Sequence, residues 1–444
     1  MAEAPPRSPL ERFLTAFADV RGGEGGTVLL LTANVFLLLT TYYLVKPVRE
    51  ALILAGGGAE LKSYTSAGQA FLLLFAVPAY ASLASRVNRR RLIDVVTVFF
   101  AICLVAFWAL AKAGVPYLGV AFFLWVGIFN LMVIAQFWSF ANDVYSPEQG
   151  KRLFAIVAFG ASIGAVAGSG IAGQIIRWIG VEAMLLVAAA LLVASLGLTH
   201  AVEARQGGAK ATGAEPVEAE PLGNQGAFRL VLGNRYLLLI AVLMALLNWV
   251  NTTGEYVLGS VVQSEAARHA VDGAAERAWI GEFYASFFFG VNALGLTLQL
   301  IFVSRILKYL GVRFALLVLP VLALGAYGLL SFVPVLAAVR WAKTAENATD
   351  YSLQNTVRNV LFLPTTREEK YKAKQAIDTF FVRSGDLLSA ALVWVGTTWF
   401  AFGPRNFAMV NLVLVVAWIL IALAIGREYL RKTAAVPATA GQVG

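Results

Sequence analysis

"TTYYLVKPVREALIL" (Thr40–Leu54) closes an apolar run that begins near Thr27. Lys46, Arg49 and Glu50 interrupt the run, with Pro47 among them. An ionisable side chain at a bilayer centre costs about 2.5–3.5 kcal/mol on insertion scales, so it is kept where it meets a partner or a wet cavity. Tyr42, Lys46 and Arg49 stand at i, i+4 and i+7, on one face of a helix. Glu50 follows Lys46 by four residues, within pairing reach. Pro47 removes a backbone donor and leaves the Tyr43 carbonyl without its usual partner, which predicts a kink there.

The rest of the chain shows that this run crosses a membrane. Only 14% of the 444 residues are charged and 59% are hydrophobic, whereas a soluble domain carries roughly 25% charged residues. Apolar runs of about 20 residues recur, the length of a membrane-spanning helix. The +9 formal charge then reads as basic cytoplasmic loops and not as a nucleic-acid surface. Cys103 is the single cysteine, and His200 and His269 are far apart in sequence, so neither a disulfide nor a Cys/His metal site is expected. No Walker loop, H-E-x-x-H or G-x-S-x-G is present, so neither an enzyme nor a cofactor is expected.

Twelve spans are expected. Six cover 27–54, 63–85, 92–112, 116–141, 153–176 and 181–199; six more cover 236–262, 279–303, 314–333, 335–363, 376–402 and 405–426. This divides the chain into an N-terminal segment (1–26), a six-helix half (27–202), a linker (203–226), a second half (227–430) and a tail (431–444). The linker, rich in Gly, Ala, Glu and Pro, has too few large apolar residues to pack a core. Basic residues gather in alternate loops, at Arg86–Arg91, Lys151–Arg152, Arg305–Arg313, Arg367–Lys374 and Arg427–Lys432. Opposite loops hold few, such as Lys62, Lys112 and Arg177. The positive-inside rule puts both termini and the linker in the cytoplasm, in what is expected to be a bacterial inner membrane.

The halves echo each other. Aligning Glu148 with Glu369 also aligns Lys151 with Lys372, Ala155 with Ala376, Ile156 with Ile377, Phe159 with Phe380 and Gly164 with Gly385. Two parallel six-helix halves resemble the major facilitator fold. The loop "ASLASRVNRRRL" (81–92) is similar to a degenerate form of that superfamily's signature between spans 2 and 3. The expected fold class is therefore an all-α polytopic membrane protein with twelve transmembrane helices in two halves.

Polar residues concentrate in spans 1, 4, 7, 10 and 11, while spans 3, 6, 9 and 12 have almost none in their cores. Span 4 contributes Asn130, Gln136 and Asn142. Span 7 repeats Asn248, Asn251, Thr252 and Glu255 at helical spacing. In span 10, Arg340, Lys343, Asn347 and Asp350 keep one face, with Glu346 beside it. Arg358 follows, and span 11 adds Arg383 and Asp386. A solvated translocation path accounts for the whole set; mutual pairing that holds the two halves together is the plainer alternative, especially for Arg383 and Asp386. Gly160, Gly164 and Gly168 share a face of span 5 and predict close helix packing. The aromatics of "YASFFFG" in span 8 read as lipid-facing or core residues.

Three stretches resemble the ATP/ADP translocase family of plastids and obligate intracellular bacteria. "YYLVKPVREALIL" with "GAELKSY" matches its basic-x-x-basic-acidic pattern through Lys46, Arg49 and Glu50. "FWSFANDVYSPEQGKRLFAIVAFGASIGAVAG" is similar to its FW-x-FAN run. "DYSLQNTVRNVLFLPTTREEKYKAKQAID" resembles its KYSLFDPTKEMAYIPLD run and the K-x-K-A-x-ID that follows. The chain departs from the family at Val126 and Asn251, where its nucleotide transporters carry acids, and at Asp350, Asn355 and Asn359. The resemblance implies a secondary transporter that exchanges nucleotides or related organic phosphates, with an anionic solute such as ATP or ADP as partner alongside the lipid bilayer. Lys46 and Arg49 are expected to hold the anion, Glu50 to tune them, and Asn251 and Glu255 to serve from span 7. Six bases and six acids along the expected path leave no net positive charge for a triphosphate. Two alternatives stand beside this reading: a proton-coupled carrier or exporter of another amphiphile or organic anion, and a non-transporting sensor or scaffold on the same fold.

Overall fold

The computed structural model describes residues 8–15, 18–206 and 226–434, and every element in them is helical. In chain order these are α1 (Pro9–Leu14), α2 (Gly25–Arg86), α3 (Arg89–Lys112), α4 (Leu118–Val144), α5 (Pro147–Ile179), α6 (Met184–Gln206) and α7 (Ala227–Gly233). Next come α8 (Arg235–His269), α9 (Gly273–Thr297), α10 (Gly311–Phe332), α11 (Leu336–Thr349), α12 (Asn355–Val360), α13 (Lys374–Ala376), α14 (Val382–Phe400) and α15 (Pro404–Ala434). Five stretches are π-helical: Leu298–Val303, Ile306–Leu310, Asp350–Gln354, Glu369–Ala373 and Ile377–Phe381. Most of the expected linker and tail lie outside the described residues, and α6 runs on to Gln206, past the expected end of the first half.

Each expected span is helical over most of its length. Nine helices among the described residues are long and apolar enough to cross a membrane. One of them, within α2, carries both of the first two expected spans. The helices of the tenth and eleventh spans are not among the nine: the tenth carries Arg340, Lys343, Glu346 and Asp350, and α14 carries Arg383 and Asp386. The chain is an all-α polytopic membrane protein.

The kink expected at Pro47 is not where α2 breaks. Backbone dihedrals stay helical through Pro47, and the departure comes at Gly58, with φ 77° and ψ 179°. A positive φ costs glycine little because it has no Cβ. Gln263 of α8 secures the break by accepting a hydrogen bond from the Ala59 amide at 3.2 Å. Lys62, expected in a loop, is consequently a buried helical residue in the second part of α2.

The described chain forms two compact units. One holds residues 1–56, 72–219 and 270–292; the other holds 57–71, 220–269 and 293–444. These differ from the contiguous halves, because α2 and α9 each contribute to both units.

The repeated glycines do the same work in each unit. A Cβ on Gly164 of α5 would come within 2.5 Å of the Phe36 carbonyl oxygen on α2, and one on Gly168 within 2.7 Å of that of Thr40. A Cβ on Gly385 of α14 would come within 2.8 Å of the Ala245 carbonyl oxygen on α8. Span 5 thus seats on span 1, and span 11 on span 7, at backbone-to-backbone distance. Gly164→Leu is expected to lower stability by about 1–3 kcal/mol or to prevent folding, because backbone cannot yield as a side chain can. Thermal unfolding in detergent checks this, and an unchanged midpoint would contradict the packing.

At the start of α2, Glu24 receives Arg152 of α5 through two hydrogen bonds, NH2 to Oε1 at 2.8 Å and NH1 to Oε2 at 3.1 Å. The Gln149 amide donates at 3.1 Å and the Arg21 backbone N–H at 2.9 Å. Burial opposes ionisation of Glu24, but these donors outweigh it and hold the carboxyl below its ordinary value of 4.5. With the folded pKa depressed, the stabilisation is fully present above that ordinary value and is lost as pH falls through the folded one. The protection of amides over residues 20–30, taken relative to their intrinsic exchange rate at each pH, is therefore expected to fall as pH is lowered from 7 to below 4.5. Arg152→Gln should show the reduced protection already at pH 7.

Candidate functional site

In the first unit, span 1 brings its charges to aromatic faces. Lys46 is buried, with its ammonium 4.0 Å from the centre of the Phe288 ring, 5.3 Å from that of Tyr43 and 5.8 Å from that of Tyr42. Phe288 comes from α9, in the run expected to be core or lipid-facing. A desolvated cation over a ring gains about 2 kcal/mol, which offsets part of the cost of burying it. The Arg49 guanidinium lies 4.5 Å from the Phe123 ring centre and donates from Nε to Glu50 Oε1 at 3.0 Å, with a second bond from NH2 to the same oxygen. Glu50 is 1% exposed. The adjacent Arg49 thus meets it directly.

The second unit holds a denser network. Lys343, 1% exposed, donates to Asn251 Oδ1 at 2.7 Å and lies 3.1 Å from Glu346 Oε2 and 3.7 Å from Glu255 Oε1. Glu255 also accepts from Asn347 at 3.0 Å and lies 3.9 Å from Lys62. The Tyr327 hydroxyl donates to Glu346 at 3.0 Å. Two ammonium groups and two carboxylates thus balance inside α2, α8 and α11. Helical spacing explains the register: Asn251 and Glu255 are four apart on α8, and Lys343 and Glu346 three apart on α11.

A separate tie joins α8 to α14. Asp386, 5% exposed, accepts from Asn248 at 2.9 Å and Thr252 at 2.8 Å, with Arg383 at 3.3 Å. Arg383 and Asp386 thus pair within α14, three residues apart, and Asp386 is bonded to α8 of the same half.

Of the expected site residues, Tyr42, Lys46, Arg49 and Glu50 fall together in the first unit, and Asn251, Glu255, Lys343 and Glu346 in the second. Asp350 and Arg358 lie further along the same helical run as Lys343, each half-buried. Asn130 is half-buried in α4. Asn142 is exposed in the last turn of α4 and joins neither group, because the helix ends at Val144. Phe288, Phe123, Lys62 and Tyr327 were missed. Each sits on a different element from the charge it meets, so no spacing in the sequence announces it.

The chain belongs to the Major Facilitator Superfamily, whose model matches residues 28–345. No curated protein matches it in sequence. Among solved structures, it is similar to a bacterial homologue of the human lysosomal transporter Spinster, at 16% identity and a TM-score of 0.58, covering 92% of this chain and 98% of that one. It is also similar to the nucleoside transporter NupG in a D323A mutant (12%, TM-score 0.64, covering 90% and 99%). A POT family transporter in complex with 5-aminolevulinic acid shows a similar likeness (13%, TM-score 0.63, covering 91% and 96%). At such identities the likeness is one of fold. The chain is an integral membrane protein with the fold of facilitator-type secondary transporters.

Removing one member of a buried ion network leaves its partners' charge uncompensated, at a cost of about 3–5 kcal/mol. Lys343→Met is expected to lose stability in that range, and adding Glu346→Gln to restore part of it. Chemical unfolding in detergent measures both; additive losses would mean that the two groups do not share a charge balance.

Proposed function

We propose that this protein is a secondary transporter exchanging nucleotides or related organic phosphates across a bacterial inner membrane, with both termini in the cytoplasm. The observation that carries the reading is the first-unit group in which Lys46 lies over Phe288, Tyr43 and Tyr42 and Arg49 over Phe123. Cations set against rings suit a solute that is anionic at one end and aromatic at the other. Arg49 offers planar donors for a phosphate and Lys46 a compact charge. Glu50 tunes Arg49 by competing for its donors. The three stretches that resemble the ATP/ADP translocase family support the same substrate class. The contiguous halves 27–202 and 227–430 serve as the two repeats of an alternating-access cycle, the general mode of such carriers.

A proton-coupled carrier is the second reading, and Glu255 favours it. Its side chain is 25% exposed, whereas Lys343 and Glu346 are 1% and 4% exposed. A carboxylate at the accessible edge of a buried network is where a proton would enter.

The test is exchange of labelled ADP against internal ATP in proteoliposomes. Lys46→Gln is expected to lower exchange about tenfold or more, since a hydrogen bond to a charged group contributes about 1.5–3 kcal/mol. Its unfolding midpoint should remain close to that of the parent. Absence of exchange by the folded parent protein would falsify the nucleotide reading. Uptake that needs a pH gradient, and is lost in Glu255→Gln, would favour the second reading.

A further inference from the structure

In the first unit, α2, α3, α4 and α6 meet around a cavity. Its volume, counted as the space open to the centre of a water molecule, is about 20 Å³. One water needs about 10–15 Å³ on that measure, so the cavity admits one water, at most two, and no larger solute. Each helix brings polar groups on one face: Asn34 from α2, Thr97 from α3, Gln136 from α4, and Ser195 and Thr199, four apart, from α6. The rest of the lining is aliphatic or phenylalanine, and every lining residue is buried.

Part of this polar set is already matched. Asn34 Nδ2 donates to Thr199 Oγ1 at 2.7 Å, Thr199 Oγ1 to the Ser195 carbonyl at 3.2 Å, and Ser195 Oγ to the Leu192 carbonyl at 2.7 Å. That chain ties α2 to α6 and leaves acceptor positions unused on Asn34 Oδ1 and Ser195 Oγ. Thr97 and Gln136 stand outside it. Gln136 Nε2 is buried without a hydrogen-bond partner, and the Thr97 hydroxyl makes no hydrogen bond to another described residue. Nothing fixes the Gln136 amide, so turning it about its last torsion exchanges its two ends at little cost. Its donor as well as its carbonyl can then meet the cavity.

Inside a bilayer no outside solvent matches a buried polar atom, and an unmatched one keeps its full desolvation cost. The groups around the cavity say what would match them. Gln136 brings a donor and an acceptor, Thr97 both in one hydroxyl, and Asn34 and Ser195 bring acceptors. A metal ion finds no carboxylate in the lining to offset its charge, and an anion finds no base. A neutral molecule that both donates and accepts suits all four groups, and by size it is water. We infer that this cavity is a binding site for an internal water, held by Gln136 and Thr97 and joined to the chain of Asn34, Thr199 and Ser195. Such a bridge is nearly as favourable as a direct hydrogen bond, and it links α3 and α4 to α2 and α6. It gives a role to Gln136, which the proposed function leaves unused, and it does not depend on which solute is carried.

The experiment has two arms, both on the full chain in detergent. The first compares the unfolding midpoints of the parent, Gln136→Leu, Thr97→Val and the double variant. Each single substitution is expected to lower the midpoint by about 2–4 °C, the effect of one lost hydrogen bond. The double variant should fall little further than the lower of the two, because both lose the same water. If Gln136→Leu leaves the midpoint unchanged or raises it, the amide had no partner to lose and the site is overturned. Losses that add overturn a shared water likewise. A midpoint that rises when sodium or potassium replaces choline, in the parent and not in Gln136→Leu, assigns the cavity to a cation and overturns the water. The second arm is a density map of the parent fine enough to show ordered water. A peak is expected about 2.7–3.2 Å from both Gln136 and Thr97. A cavity without that peak, in a map that shows ordered water elsewhere, overturns the site whatever the variants do.

Discussion

Lys343 sets the terms for the second unit. An ammonium group with 1% exposure inside a membrane protein stays charged only where carboxylates and carbonyls replace water around it. Glu346 supplies one carboxylate from the same helix, but Glu255 and Asn251 must come from α8. Lys62 then balances Glu255 from the far part of α2. The position of α2 beyond Gly58 follows from this requirement together with the bond from Ala59 to Gln263. A break at Gly58, not at Pro47, lets one long helix serve two units.

The first unit meets the same problem by another route. Lys46 is buried against rings, and cation–π attraction contributes to holding its charge there. The internal repeat makes the comparison direct. Gly164 approaches Phe36, and its counterpart Gly385 approaches Ala245. Lys46 lies ten residues past Phe36, and Glu255 ten past Ala245. Corresponding helices thus carry a base and an acid at corresponding depth. The two pairs share the close packing and differ in charge, since packing is a backbone constraint and charge belongs to a site.

Charge balance bears on what the protein can carry. Arg49 is shared with Glu50, Lys343 with Glu346 and Glu255, and Arg383 with Asp386. A solute anion that reached any of these bases would compete with the carboxylate beside it. The six-to-six count of bases and acids along the expected path already carried that warning, and the structure shows which acids do the neutralising.

The sequence by itself determined the membrane class, the positions of the spans and the shared face of Tyr42, Lys46 and Arg49. Each is a matter of local composition or helical period, and both survive in a linear string. It also singled out Asn251, Glu255, Lys343 and Glu346, because polar residues in apolar spans stand out wherever they face. Only the tertiary structure decided their partners. Phe288 looked like any other phenylalanine in an aromatic run until α9 laid it under Lys46. Lys62 looked like a loop base until α2 proved continuous. Nothing in the sequence sets Gln354 apart, and the burial of its amide is a property of the packed molecule. Spacing along one helix is encoded locally. Contact between helices is settled by which faces can be buried together at the least cost in unmet charge and unmatched hydrogen bonds.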